Sequence, residues 1–208
     1  MLTLSSPTTN FQVEVVNPTT ISPELSLPIT ELARKSFGTH MSQQDVWSHV
    51  VDVDLTVLLW QGSQVKGFLS ANIYSEILFI HGVVIDHNLK GLGLSKKLLS
   101  KALESAVTCY TALTTQNPRM YQLLASFSKV VYPSPTHGIP EGLLPTLKKV
   151  VTHEFATDGV LKTYYPTCLY SSIPTAKSQE IDDWFLSSLD ANSQRRTTRN
   201  AFVFVGRR

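Results

Sequence analysis

Apolar and polar residues alternate with two different periods along this chain, and the switches between the periods mark its elements. Phe11 to Asn17 places apolar residues at nearly every second position, the pattern of a half-buried strand. Leu25, Leu27, Ile29, Leu32, Ala33 and Phe37 then recur at helical spacing and predict a helix that ends near Gly38. Ser42, followed by Asp45, resembles a capping box and opens a short helix to Val50. Two apolar runs, 55–60 and 65–74, flank a Gly-containing turn and read as a β-hairpin. The run 77–86 is apolar almost without interruption, as a strand covered on both faces is, and this places it at the centre of a sheet.

Beyond it, Leu94, Leu98, Ala102, Leu103 and Ala106 share one face of a helix running to about Val107, with Lys96, Lys97, Lys101 and Glu104 on the other. A strand follows at 110–116, then a helix opened by Asn117-Pro118, then a strand at 128–133. From Pro133 the regularity fades. A loop over 133–142 leads to a helix over 141–154, an irregular aromatic stretch at 159–174, a helix over 178–189 and a last strand from Asn200. One βαβ unit among antiparallel neighbours makes an α/β (α+β) fold, a mixed, mostly antiparallel, twisted sheet flanked by helices. If 128–133 and 200–205 pair as the last two strands, residues 134–195 form a long insertion before the final strand of a single 1–208 domain. An excursion of that length on a compact domain points to a substrate-side extension.

Composition narrows the function. The chain has 208 residues, 42% hydrophobic and 16% charged, with a formal net charge of +2. That balance is globular, and too weakly basic to argue for nucleic acid. The arginines at 195, 196, 199, 207 and 208 read as local, solvated surface. Residues 1–10 are rich in Ser, Thr and Pro and read as loose, with no basic or apolar region of a signal peptide. The longest apolar run holds a histidine and is too short to cross a bilayer, so no membrane partner is expected. Cys109 and Cys168 suit neither a disulfide framework nor a metal site. The expectation is a cytoplasmic protein without a metal.

The chemistry-bearing stretch is Asp86 to Leu99, where Gly91-Leu92-Gly93-Leu94-Ser95 enters the lysine-rich helix. A P-loop requires a second Gly before Lys-Ser/Thr, which is absent. A dinucleotide fingerprint requires glycine where Lys96 stands, and an acidic residue about twenty positions on. What remains is a turn of small residues that leaves the first helix amides free to face an anion, or an ordinary strand–helix turn whose glycines supply positive φ.

With the surrounding order of strands and helices, this turn resembles the GNAT family of acetyl-CoA-dependent N-acetyltransferases. The family signature is Gln/Arg-x-x-Gly-x-Gly/Ala after an apolar strand and before Leu-Leu. Here it reads Lys90-Gly91-Leu92-Gly93-Leu94-Ser95, then Lys96-Lys97-Leu98-Leu99, with lysine for Gln/Arg and serine for the last Gly/Ala. The resemblance covers about Phe11 to Pro133, and 134–195 carries no motif of the family. It implies acetyl-CoA as co-substrate, held where the fourth and fifth strands part. Backbone groups of Val83, Val84 and Ile85 would pair with pantetheine. Lys90, Gly91, Leu92, Gly93, Leu94, Ser95 and Lys96 would surround the pyrophosphate, and Asn117 would stand near the thioester.

The resemblance also suggests the chemistry. His81, within the central strand, matches a histidine that removes the amine proton in the arylalkylamine branch of the family. A lone strand histidine could equally be a buried structural one. The tyrosine that commonly acts as acid seven residues beyond the Asn is replaced by Leu124. Tyr121, nearly one helical turn earlier, is the candidate acid, with Tyr132 as another option. Tyr164, Tyr165, Tyr170 and His137 could line an amine pocket or form the insertion's own small core. The expected acceptor is a small-molecule or peptide amine attacking the thioester directly, with a homodimer an open option. The alternative is a catalytically inactive acyl-CoA-binding module, which the leucine at position 124 motivates.

Overall fold

The computed structural model describes residues 10–38, 40–192 and 194–208. The loose start expected at 1–10 lies, apart from Asn10, outside the described residues. Strands β1 (Phe11–Val16), β2 (Leu55–Gln61), β3 (Gln64–Tyr74), β4 (Ile77–Ile85), β5 (Tyr110–Thr115), β6 (Val130–Tyr132), β7 (Val160–Leu161) and β8 (Ala201–Arg207) form one sheet. Its order is β1-β2-β3-β4-β5-β8-β6, with β7 also paired to β8. β4 and β5 pair in parallel and the other pairs are antiparallel, so the sheet is mixed, with β4 in the middle as its unbroken apolar run requires.

Helices cover both faces. α3 (Leu94–Ser105), α4 (Pro118–Ala125) and α6 (Gln179–Ser188) close one side. α3 buries Leu94, Leu98, Leu99, Ala102 and Leu103, the apolar stripe its periodicity defines, with Ala106 just beyond its end. On the other side α1 (Ser26–Phe37) and α2 (Gln43–Val51) pack on β2–β4, and α5 (Leu144–Lys148) packs nearer β5 and β8. Ser42 caps α2 by accepting from the Asp45 amide at 3.0 Å. Gly38, at φ 113°, ends α1.

Two expected elements are shorter than their patterns suggest. The helix over 141–154 is a single 3-10 turn at 141–143 followed by α5, which stops at Lys148. Val150, Val151 and Thr152 are β-branched and disfavour a further helical turn, and the chain leaves the helix to bury Val151 and Phe155. The strand over 128–133 keeps only Val130–Tyr132, because Ser128 still belongs to the exit of α4 and donates to the Leu124 carbonyl at 2.9 Å. At its other end Pro133 has no amide to donate. β7 is two residues long, too short to show any period.

Two irregularities position the site. β4 pairs with β5 from Ile77 to Ile80 and no further, so residues 81–85 have no β5 partner and the strands part there. Against β3, Ala71 pairs with Ile80 while Ser70 pairs with Gly82. His81 is therefore the extra residue of a β-bulge, set at the point where β4 and β5 separate.

Candidate active site

The parting of β4 and β5 opens onto two adjacent cavities. The outer one is a cleft of about 540 Å³ running from the glycine turn across the start of α4. The inner one, about 170 Å³, lies between α1, α2, the parted strands and the segment 165–170. Phe37, Val83, Asn117, Met120 and Tyr170 line both and mark the junction.

The outer cleft has the chemistry of an anion site. Gly91 and Gly93 take φ of 88° and 72°, which glycine adopts without strain, and nothing lies within 4 Å of where their side chains would be. Gly93 opens α3 with no capping side chain, so the Leu94 and Ser95 amides face outward with the positive end of the helix dipole. Lys90, Arg34, Lys35 and Arg119 stand around this space, with no carboxylate among its lining residues. Asp86 steadies the approach: it accepts from the Asn88 amide at 3.1 Å and lies 3.6 Å from Lys66. A pyrophosphate and an extended pantetheine chain fit this arrangement of free amides, cations and unpaired β4 backbone.

The expected binding residues divide accordingly. Lys90, Gly91, Gly93, Leu94, Ser95, Val83, Ile85 and Asn117 line the outer cleft, and Val84 lines the inner cavity. Leu92 is 57% exposed and Lys96 points to solvent, and neither lines a cavity. The Lys96 amide is taken up by the Gly93 carbonyl at 3.0 Å.

His81 sits on the wall of the inner cavity, its ring 5.1 Å from that of Phe79 and 6.3 Å from that of His49. Burial pushes its imidazole below the ordinary histidine range, His49 adds to the shift and Asp54 opposes it. Among the described residues its Nε2 is buried without a hydrogen-bond partner, as is Oγ of Ser70, another lining residue. A neutral imidazole on the wall of a cavity can accept a proton.

Tyr121 is elsewhere. Its ring packs at 5.0 Å from Phe204 and 5.5 Å from Trp184, and it lines neither cavity. Burial and then Glu180 raise its hydroxyl above the usual tyrosine value. From the cap of α4 onward it is Asn117, Arg119, Met120 and Leu123 that line the cleft, whereas Leu124 is fully buried in the α3-side core. Tyr132 and His137 also lie outside both cavities, the first in the α5-side core and the second on the surface. Tyr164 accepts from Thr114 Oγ1 at 3.0 Å and sits in the same core.

Tyr170 takes the position that Tyr121 does not. It lies at the junction of the cavities, its ring 5.6 Å from that of Phe37. The residue is half-buried overall, but burial of its hydroxyl pushes it up to about 12, with the Asn117 side chain acting the other way. It stays protonated at physiological pH and can donate. Tyr165 is pushed still higher, by burial and then by Tyr170 and Tyr164. The segment carrying these residues is tied down at both ends. Tyr165 exchanges backbone and Nε hydrogen bonds with Arg199, and Ile173 does so with Arg196. Arg119 Nε donates to the Thr175 carbonyl at 2.9 Å. Sequence signals existed for some of this: Gly82 inside an apolar strand marks the bulge, and Arg119 stands at a helix start beside Asn117. None pointed to Tyr170 above its neighbours.

Among the described residues no three His, Cys, Asp or Glu side chains group as metal ligands, and no helix is long and apolar enough to cross a membrane.

A mixed sheet that parts beside a glycine-turn helix, with an anion-suited cleft and a histidine at the opening, agrees with the fold that the GNAT resemblance implies. Residues 28–127 match the family model described as Acetyltransferase (GNAT) family, and the chain carries a domain of that family. No curated protein sequence matches the chain. Among solved structures it is similar to the IAA acetyltransferase of Bacillus cereus, at 15% identity and TM-score 0.48 over 96% of this chain and 100% of that one. It is similar to ElaA of Escherichia coli at 18% identity and TM-score 0.49, covering 64% and 95% of the two chains. The diaminobutyrate acetyltransferase EctA of Paenibacillus lautus, solved with L-2,4-diaminobutyric acid and coenzyme A, aligns at 16% identity and TM-score 0.47 over 59% and 82%.

Proposed function

We propose that the protein is an acetyl-CoA-dependent N-acetyltransferase that acts on the amine of a small molecule or peptide by direct attack. One observation carries this reading: an anion-suited cleft shares Phe37, Val83, Asn117, Met120 and Tyr170 with a neighbouring cavity walled by a neutral histidine, and the tyrosine on that shared wall stays protonated. The glycine turn and the cations Lys90, Arg34, Lys35 and Arg119 bind the phosphates, and the unpaired backbone of Val83 to Ile85 holds the pantetheine. Acetyl-CoA supplies the acetyl group as a thioester, whose C–S bond breaks as the amine nitrogen forms the new C–N bond.

His81 takes a proton from the incoming ammonium, which frees the lone pair for attack. Tyr170 donates its hydroxyl proton to the departing sulfur and recovers one from the second proton lost by nitrogen. The products are the amide, the CoA thiol and one proton passed from His81 to solvent. Free Cys109 and Cys168 are both exposed and line neither cavity, so no covalent acyl-enzyme is invoked. Both are suited to the reducing cytoplasm. The reading treats the chain as one acetyltransferase domain in which 134–195 builds the acceptor side, supported by Tyr165, Leu169 and Tyr170 on the cavity walls.

The test pairs binding with turnover. Acetyl-CoA at 100 times its Kd should stabilise the protein by about 2.7 kcal/mol, read as a thermal shift. Release of CoA thiol with an amine panel should follow. Binding without turnover would favour the inactive acyl-CoA module that Leu124 suggests, and absence of binding at millimolar acetyl-CoA would end the transferase reading.

A further inference from the structure

The two cavities differ in charge as much as in size. Four cations stand around the outer cleft, whereas among the described residues no Lys, Arg, Asp or Glu side chain lines the inner cavity. Its walls are mainly apolar and aromatic, interrupted by His49, His81, Ser70, Asn117 and two threonines. Asp54, whose charge reaches His81, is outside the lining, and its carboxylate accepts from the Ile73 amide at 2.8 Å. A volume of about 170 Å³ is close to the roughly 150 Å³ apolar cavity known to accept a benzene-sized guest.

We infer that the acceptor is an amine whose body is one aromatic ring or a short alkyl chain, with a single polar group and no second charge. The inference rests on the acetyltransferase reading and adds what the acceptor must look like. The amine is lodged against the wall that His81 and Ser70 contribute, the polar side chains nearest the bulge of β4. A carboxylate or second ammonium on the guest would leave water for a wall that offers it no counter-charge, and a buried charge without a partner is strongly disfavoured. Polyamines, aminoglycosides and free amino acids are thereby selected against, while monoamines with an apolar body are admitted.

Matched acceptors test this with acetyl-CoA and the full chain. 2-Phenylethylamine is compared with phenylalanine, which adds a carboxylate, and hexylamine with 1,6-diaminohexane, which adds an ammonium. In each pair the singly charged amine should win by at least about 30-fold in kcat/KM. If a doubly charged partner is used equally well or better, the acceptor class is wrong and the acetyltransferase reading stands. If no amine is acetylated although acetyl-CoA shifts the melting temperature, the transferase reading falls and takes the acceptor class with it. Leu169→Asp is the second arm. Leu169 is half-buried on an irregular segment, so the variant should keep its acetyl-CoA thermal shift. It should cut the preference for hexylamine over diaminohexane by about ten-fold or more. An unchanged ratio would remove the inner cavity from the acceptor site.

Discussion

Arg196 grips Asp182 with both arms of its guanidinium, Nη1 to Oδ2 at 2.7 Å and Nη2 to Oδ1 at 2.9 Å. Asp182 is almost fully buried, and its other contact is the Ala176 amide at 2.8 Å. Through its Nε and backbone carbonyl the same arginine also holds Ile173. α6 is thus tied to the segment that carries Tyr170. Replacing Arg196 by Ala should cost roughly 2–3 kcal/mol, somewhat under the figure for a fully buried pair because the arginine is partly exposed. Denaturant unfolding measures that loss. The acceptor KM should rise more than the acetyl-CoA Kd, and Arg196→Lys should recover less than half of the stability because it lacks the fork.

Replacing His81 by Gln should lower kcat about 10²- to 10³-fold at neutral pH, and the deficit should shrink at higher pH as more acceptor is already neutral. The shift of His81 sets the sign of the wild-type profile. Its folded-state value lies below the ordinary one of about 6.5, so the acidic limb of kcat/KM falls below that pH. The unfolded chain then takes up its proton first, and stability should decline as pH drops from about 6.5 toward the folded value. Melting curves from pH 7.5 to 5 should show a flatter decline in the Gln variant. An unchanged slope would assign the effect to other groups.

Tyr170→Phe keeps the ring against Phe37 and removes the proton donor. The expected result is a fall in kcat of about 10- to 100-fold with acetyl-CoA affinity nearly unchanged. Tyr121→Phe is the paired control and should leave kcat within about two-fold, since its hydroxyl faces neither cavity. The reverse result would return the acid to α4.

Gly93→Ala should cost about 1–2 kcal/mol, the penalty for a side chain in the left-handed region at φ 72°. It should also weaken acetyl-CoA binding, measured by calorimetry, because the new methyl points into the open space that the proposed phosphate site would use. Lys90→Ala should weaken the same affinity by about three- to ten-fold, and raising salt should shrink that effect.

The elements up to β5 and the glycine turn were legible because each rests on a local period or a short motif. β4 announced itself as central through nine nearly continuous apolar residues, and α3 through its apolar stripe. What was not legible depended on contacts remote in sequence. Tyr121 was placed by helical arithmetic from Leu124, and the two do share a side of α4. That side faces the aromatic core of Phe204 and Trp184, while the cleft is served by Met120 and Leu123. Tyr170 reaches Asn117 through an irregular segment whose course is set by Arg196 and Arg199, and no periodicity records such a path.

The bulge at His81 also changes which side of the sheet each later residue of β4 serves. Leu78 and Ile80 belong to the core under α3, and strict alternation would hand that role on to Gly82 and Val84. Instead Val83 and Ile85 pack there, and Val84 joins the α1–α2 core. The strand changes phase by one residue, and His81 is the residue that makes up the count. Position 81 therefore carries the frame through its backbone and the proposed proton transfer through its side chain, and the two are separable. Exchanging its side chain leaves both cores in register. Deleting it would turn the second half of the strand inside out, presenting Val84 to the α3 side and pulling the cleft wall apart.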